Sequence, residues 1–497
     1  MLIWNGSVMN QKTSGLASGS IWSIVDNLAQ QIISFVIFAV LARFLAPDAF
    51  GLLTVAHLFI LFTRLVVFDA IAMPVIRGGT PDDRLYSWVF TCCAAAALLL
   101  TVLMFFSAGV VSSMYRAPEL KPVLQGMSLS VLFFGLMRAY EARLVRNMMF
   151  RQLAIRSIGS VLTGGVAGIA LAASGWGAMS LVVQQVTGSG LALALIALQS
   201  RWLPRIVFDR ALNSKYWNDI RQVGLTGVLS FANTNGDSLL VSIFLGPYAT
   251  GLYNLAKRVT SSVYMVIASS MQKVALPVFS DAGADLSALS RGYLKIVGIT
   301  LFCVAPLLCF QAVLAEPLVA AVFGDQWLPA APIVGVLALL YLLSSIVHLN
   351  DYLFFSLGRN RVPVLLGIAQ LTLATILAVS FYRFGLFGMS LSFCCAYLLV
   401  FPVSQILLNR ALGLNARAMW YALAPPLVGS IILVLGLLLY LSLIPPGLGN
   451  VILVAGGVLI ACFLYPFMVA VTGWQIRTVN ASWHGLLLSA MRLGRMR

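Results

Sequence analysis

Three sets of residues combine types and spacings that suit chemistry. The first is cationic. Arg64, Lys257 and Arg258 stand inside long apolar runs, with His57 two helical turns before Arg64. A charged side chain at mid-span costs about 2.5–3.5 kcal/mol on insertion scales, so such groups face a cavity, a partner or the headgroup layer. A cavity lined by them attracts an anion. The second set is made of close pairs. Arg138 and Glu141 lie at i, i+3, and His348 and Asp351 repeat that spacing 210 residues later. With Asp26 and Asp69 at similar depth, they suit an inner gate of hydrogen bonds and ion pairs. Two other readings stay open: static structural pairing, and titration of His348 or one of the acids that couples movement to protons. The third set is made of polar stripes. Ser23, Asp26, Asn27, Gln30, Gln31 and Ser34 follow helical offsets, as do Ser230, Asn233, Thr234, Asp237 and Ser238. Asn254, Lys257, Arg258, Ser261 and Ser262 form a similar stripe, and Thr54, His57 and Arg64 a shorter one. Each stripe occupies one helical face, which lines a polar cavity or supplies hydrogen bonds between helices.

Enzyme chemistry has little support. His57, His348 and His484 share no motif, and the seven cysteines lie in apolar runs without ligand spacing. No cofactor or metal is expected. No G-x-x-x-x-G-K-[ST] stretch occurs, so hydrolysis of ATP by a P-loop is excluded.

The elements that must hold these residues follow from composition. Of 497 residues, 61% are hydrophobic and 9% charged, and the mean hydropathy is +0.97. Soluble domains carry about 25% charged residues, so an ordinary soluble enzyme is excluded. With about 20 apolar residues per crossing, the chain reads as an all-α polytopic membrane protein with about 14 transmembrane helices. The spans are 20–43, 50–73, 86–112, 122–141, 155–173, 177–199, 221–245, 252–275, 294–315, 331–356, 362–382, 386–408, 418–440 and 450–472. The ninth is expected to break near Pro306, and the thirteenth holds Pro425 and Pro426. Residues 1–19 read as a short cytoplasmic N-terminus without a cleavable signal peptide, the first span acting as a signal anchor.

Charge supports the count. Lys and Arg number 31 against 15 Asp and Glu, a formal +16. With the N-terminus in the cytoplasm, 23 of the 31 cations fall in inward segments. Only Arg43, Arg116, Lys121 and Arg383 fall outward, as the positive-inside rule requires. Both termini are therefore expected in the cytoplasm. The basic residues are spread over eight inward segments rather than one patch, which excludes a nucleic-acid partner. No segment outside the membrane is long enough for a soluble catalytic domain.

The chain also repeats itself. Phe44–Ala56 (FLAPDAFGLLTVA) and Phe244–Ala256 (FLGPYATGLYNLA) agree at seven of thirteen positions. Gly175, Met179, Ser180 and Leu181 return at an offset of 210 as Gly385, Met389, Ser390 and Leu391. The expected organisation is a parallel pair of six-helix lobes, 20–200 and 221–410. A cytoplasmic linker (201–220) joins them, and two C-terminal spans (418–472) and a basic tail (473–497) follow. Parallel repeats place a substrate site between the halves.

Asp237 followed by FLGPYATGLYNLAKR, with its counterpart after the first span, resembles the polysaccharide-transporter branch of the MOP (multidrug/oligosaccharidyl-lipid/polysaccharide) superfamily. The likeness extends over the whole chain in length, span order and loop sizes. It implies a flippase in the bacterial inner membrane. Such a protein moves undecaprenyl-diphosphate-linked oligosaccharide repeat units for exopolysaccharide, capsule or lipopolysaccharide synthesis by alternating access. Its partners would be the polyprenyl-diphosphate-linked oligosaccharide, membrane lipids, and a polymerase with export machinery. Arg64, Lys257, Arg258 and His57 would meet the diphosphate. Asn27, Gln30, Gln31, Asn233, Thr234 and Asp237 would line the sugar cavity. Asp26, Asp69, Arg138, Glu141, His348 and Asp351 would form the gate or coupling site. The last two spans would cradle the polyprenyl tail, or serve only as packing. The superfamily also contains cation-coupled multidrug exporters, but these suit an acidic, aromatic pocket, whereas the central region here is basic. A membrane-embedded polymerase or acyltransferase is the third reading, and it lacks the sizeable outward loop such enzymes use.

Overall fold

The computed structural model describes residues 6–77, 82–282, 285–414, 416–445 and 449–475. Within them every regular element is a helix. α1 (Gly6–Phe44) and α2 (Pro47–Thr63) are followed by a π-helical turn at Arg64–Phe68 and by α3 (Asp69–Arg77). α4 (Asp83–Met114), α5 (Leu120–Arg146), α6 (Phe150–Ala173) and α7 (Ala178–Ser200) come next. The long α8 (Arg210–Ala282) leads to α9 (Leu286–Val313), α10 (Ala315–Phe323) and α11 (Ala331–Ser356). α12 (Arg361–Phe381), α13 (Gly385–Leu412), α14 (Ala416–Leu443) and α15 (Asn450–Gln475) complete the order. His484 and the basic tail beyond Gln475 lie outside the described residues.

Twelve helical runs among these residues are long and apolar enough to cross a membrane, so the chain is an all-α polytopic membrane protein. Two of the runs, Arg210–Ser262 and Arg361–Leu412, have 53 and 52 residues. About 20 residues suffice for one crossing. Each run is interrupted by a glycine at positive φ, Gly246 at 77° and Gly385 at 69°. The fourteen-span expectation counts each of these runs twice. Pro306 does not break its span, since α9 runs unbroken from Leu286 to Val313. Neighbouring helices re-satisfy the backbone groups that such a proline frees.

Helix starts follow local chemistry. Asp82 caps α4 by accepting the Leu85 N–H at 2.9 Å, and Asp285 caps α9 by accepting that of Ser287 at 2.8 Å. Asp209 does the same for α8, taking the N–H groups of Ala211 at 2.9 Å and Leu212 at 3.3 Å. Each satisfies donors that the first helical turn leaves orphaned. The Leu212 N–H, then that of Ala211 and the Arg84 guanidinium, hold the Asp209 carboxyl below the usual carboxylate range. α2 begins with Pro47 at its first position, where a missing N–H costs nothing.

The chain divides into two compact units, Met1–Gly251 and Leu252–Arg497. In the first, α4 lies along α5, α6 along α7, α1 on α6, and α5 on α7. Its core is built on Trp88, Met137, Tyr140 and Trp202 at one end, and on Phe68, Met104, Met127 and Val131 further along. The first repeated motif packs on its own copy within this unit. A Cβ on Gly51 would collide with the Pro247 carbonyl oxygen, and one on Gly251 with that of Pro47. The P-x-x-x-G spacing thus lets two helix starts touch backbone to backbone.

In the second unit α9 packs on α11 and α14, α11 on α13, and α12 on α13. Tyr293, Leu353, Phe354 and Leu408 are buried at its centre. α14 and α15 pack on each other, and α14 joins the unit through α9. Their shared core holds Leu314, Leu433, Leu437, Tyr465 and Val469.

The backbone carries a register that the residue types conceal. Positive φ occurs at Arg116, Met148, Gly175 and Arg201, and again at Gly324, Gly358, Gly385 and Gly413, at offsets of 208 to 212. A residue at positive φ therefore follows each of α4, α5, α6 and α7, and one recurs after each of α10, α11, α12 and α13.

Candidate functional site

α1 is exposed on two opposite faces of opposite character. Asn27 and Gln31 are exposed, with Gln30 and Ser34 half-buried beside them on one side. At 100° per residue the other side presents Val25, Leu28, Ile32 and Val36, all more than 40% exposed. Asp26 accepts a 2.8 Å hydrogen bond from Gln30 Nε2. The first arm of α8 has the same build: Thr226, Ser230, Asn233 and Thr234 are exposed on one face. Leu225 and Ile243 are 61% and 57% exposed on the other. Asp237, half-buried, accepts from the Ser238 N–H at 2.7 Å. An apolar exposed face suits lipid. A polar exposed face on the same helix suits water, because amides and hydroxyls have no partners in hydrocarbon.

Charge in this unit gathers at the π turn. The N–H of Asp69 bonds back to the carbonyl of Arg64, five residues earlier, and the extra residue rotates Asp69 relative to α2. Thr63 Oγ1 donates to the Ile60 carbonyl at 2.9 Å, a local bond that competes with the regular ladder. Gly227 of α8 lies against the Leu65 carbonyl so closely that no Cβ fits. So placed, Asp69 meets Arg138 of α5 at 2.9 Å. Arg138 Nη1 donates to Glu141 Oε2, three residues on, at 2.7 Å. Arg156 of α6 reaches the other oxygen, Glu141 Oε1, at 3.4 Å. Arg138, Glu141 and Arg156 side chains are 14%, 14% and 13% exposed, within a body otherwise made of apolar helices. Arg64 is exposed at the head of the π turn. Two guanidiniums thus face two carboxylates. The sequence reading counted Arg156 among the loop cations. The structure makes it a fourth member of the Asp69–Arg138–Glu141 network. Its only signal was a position at the start of a span.

His57 is half-buried on α2. In the second unit, Lys257 and Arg258 are half-buried on the second arm of α8. His348 Nδ1 and Asp351 Oδ2 of α11 are 3.7 Å apart, with His348 about half exposed. Here the buried polar network is neutral. Tyr293 donates its hydroxyl to Asn350 Oδ1 at 2.6 Å, and Asn350 Nδ2 donates to Ser404 Oγ at 3.0 Å. Gln405 Nε2 passes the chain on to Asn409 Oδ1 at 2.9 Å. Asn350, fully buried between His348 and Asp351, escaped the sequence reading because it sits on the face opposite the charged pair. No group of His, Cys, Asp or Glu that would hold a metal occurs among the described residues.

Residues 40–332, more than half of the chain, match the model of a family described as polysaccharide biosynthesis protein. The chain belongs to the polysaccharide biosynthesis protein family. The succinoglycan biosynthesis transport protein ExoT of Rhizobium meliloti (strain 1021) is 29% identical over 64% of this chain and 64% of its own length. The chain thus matches a little under two thirds of that relative. The lipopolysaccharide biosynthesis protein WzxC of Escherichia coli (strain K12) is 22% identical over 66% of this chain and 67% of its own length. This member of the polysaccharide biosynthesis protein family also shares its fold with solved structures. Lipid II flippase MurJ in an inward closed conformation superposes with a TM-score of 0.71 at 16% identity, over 92% of this chain and 98% of MurJ. An inward-facing MATE-family multidrug transporter of the MOP superfamily gives 0.57 at 16% identity, over 78% of this chain and 98% of its own length.

Proposed function

We propose that the protein is a flippase for polyprenyl-diphosphate-linked oligosaccharide repeat units, working by alternating access in the bacterial inner membrane. One observation carries the reading: α1 and the first arm of α8 each expose a polar face opposite a lipid-type face. Helices of that build border a hydrated space inside a membrane protein, and sugar hydroxyls can replace water there at little cost. Membership of the polysaccharide biosynthesis protein family and the succinoglycan transport relative support the substrate class.

In this reading Asn27, Gln30, Gln31, Asn233, Thr234 and Asp237 meet sugar. Arg64, Lys257, Arg258 and His57 meet the diphosphate, because guanidinium and ammonium groups pair with phosphate oxygens by charge-assisted hydrogen bonds. Asp69, Arg138, Glu141 and Arg156, with His348 and Asp351, hold the inner end, and Asp26 bonds Gln30 beside them. Fourteen crossings with both termini cytoplasmic, arranged as lobes 20–200 and 221–410, complete the proposal. The membrane potential supplies driving force: about 2.3 kcal/mol per charge per 100 mV favours moving an anionic diphosphate outward.

The test is complementation of a deletion strain. Loss of the protein is expected to stop polymer export and accumulate lipid-linked repeat units, and the wild type to reverse both. Lys257→Ala/Arg258→Ala is expected to insert normally yet restore less than about a tenth of export, the loss of two charge-assisted contacts. Normal export from that variant would overturn the assignment of these cations. Drug sensitivity without a polymer defect would instead support the multidrug-exporter reading.

A further inference from the structure

The segment joining α7 to α8 is not a loose connection. Arg201 turns the chain with φ +45°, and residues 202–209 then run without helix along the end of the first unit. Their inner side is fastened. The Arg205 N–H donates to Ser87 Oγ at 3.3 Å, and that of Val207 to Thr91 Oγ1 at 3.0 Å. Arg84 pairs with Asp209 at 2.5 Å, and Trp88 Nε1 donates to Asn213 Oδ1 at 2.8 Å. Trp202, 8% exposed, inserts edge-on against Tyr86 and Tyr140, at 6.0 and 5.4 Å between ring centres. The Arg143 guanidinium lies 5.2 Å from the Trp202 ring and 5.3 Å from that of Tyr86.

The outer side is the opposite. Leu203, Ile206 and Phe208 are 88%, 77% and 86% exposed, with Trp217 at 62% on the first turns of α8. Arg201, Arg205, Arg210 and Lys215 are exposed between them. Over residues 201–221 there are five cations and two acids, Asp209 and Asp219. Asp209 already serves Arg84 and the α8 cap, which leaves the strip strongly basic. Three large apolar side chains, held outward by a fastened backbone and interleaved with cations, match a membrane interface. There, apolar groups enter the acyl boundary while guanidiniums stay at phosphate depth.

We infer that residues 201–217 form an interfacial strap that binds anionic phospholipid. Leu203, Ile206, Phe208 and Trp217 lie among the acyl chains, and Arg201, Arg205, Arg210 and Lys215 hold headgroup phosphates. Charge complementarity selects anionic lipid over zwitterionic lipid, and the exposed apolar row selects a bilayer over a soluble acidic protein. The surface takes no part in the proposed sugar path, so its test is independent of transport.

The full-length protein is reconstituted in nanodiscs of phosphatidylcholine, with or without phosphatidylglycerol, and the lipids it retains into detergent are measured by native mass spectrometry. The wild type is expected to retain phosphatidylglycerol preferentially. Arg201→Gln/Arg205→Gln/Arg210→Gln, whose side chains lie outside the fastened face, is expected to lower that preference at least about tenfold with an unchanged melting temperature. Leu203→Ser/Ile206→Ser/Phe208→Ser is expected to weaken retention of both lipids. A second measurement needs no strap variant: bromine-labelled phosphatidylglycerol should quench fluorescence that is lost in Trp217→Phe. Equal retention by wild type and the triple Gln variant, or a Trp217 contribution untouched by brominated lipid, would overturn the proposal. The latter result would mean that something other than lipid covers the strap.

Discussion

Arg138 joins Asp69 and Glu141, so its removal strands both carboxylates, whereas Arg156 is a second partner for Glu141 alone. Taking one partner from a buried ion pair leaves an uncompensated charge, at about 3–5 kcal/mol. Arg138 serves two carboxylates, Asp69 at 2.9 Å and Glu141 at 2.7 Å, whereas Arg156 reaches one at 3.4 Å. Arg138→Ala is therefore expected to lose about 3–5 kcal/mol and most of its inserted protein. Arg156→Ala is expected to lose about 1–2 kcal/mol, because Arg138 still neutralises Glu141. Thermal unfolding in detergent and the amount in the membrane fraction check the order, and a reversed order would refute it. Asp69, Arg138 and Glu141 were legible as candidates for one inner gate; how Asp69 reaches Arg138, and that Arg156 joins them, were not. Arg138 and Glu141 announce themselves by i, i+3 spacing inside an apolar run. Asp69 joins through a π turn that no residue pattern marks, and Arg156 stands at a span end like many loop cations.

At the scale of elements, the repeat is written more clearly in backbone conformation than in residue identity. Met148 (φ +57°) closes α5 as Gly358 (φ +70°) closes α11, yet only the second copy uses glycine. An L-residue in the left-handed region costs about 1–2 kcal/mol, against about 0.5–1 kcal/mol of extra chain entropy for glycine. Met148→Gly is therefore expected to raise stability by up to about 1 kcal/mol. Gly358→Ala is expected to lower it by about 1 kcal/mol, and melting temperatures of the two variants test the pair. A loss on Met148→Gly would show that the exposed Met148 side chain holds a contact worth more than the strain. Arg116, Met148 and Arg201 hid three of the four turn correspondences, because sequence reading expects glycine where φ is positive. Among the visible matches, Gly51 and Gly251 stand where close contact with the Pro247 and Pro47 carbonyls leaves no room for a Cβ.

For the whole molecule, hydropathy made the helices and their order legible, while the crossing number depends on how the two longest runs are divided. Arg210–Ser262 contains 53 residues and Arg361–Leu412 contains 52, against about 20 for a crossing, and a glycine at positive φ stands inside each. A single crossing by either run would expose far more apolar surface to water than a bilayer-spanning pair. A single crossing by the first would also invert every later segment and set the cations at 359, 361 and 410 on the outward side, and one by the second would do so for that at 410, against the positive-inside bias. The fourteen-span reading therefore makes a sharp prediction. Alkaline phosphatase fused after Tyr248 or Arg383 should be active, since the enzyme folds only outside the cytoplasm. Fusions after Ser214, Arg359 and Leu414 should be inactive. Activity after Arg359 together with inactivity after Tyr248 would mean that the first long run crosses once. The same pair of reporters then decides whether the polar faces of α1 and of the first arm of α8 run the same way across the membrane, as parallel repeats require. Two polar faces of opposite direction would not place Asn27 and Asn233 at corresponding depths, and the sugar path drawn through them would fail with the topology.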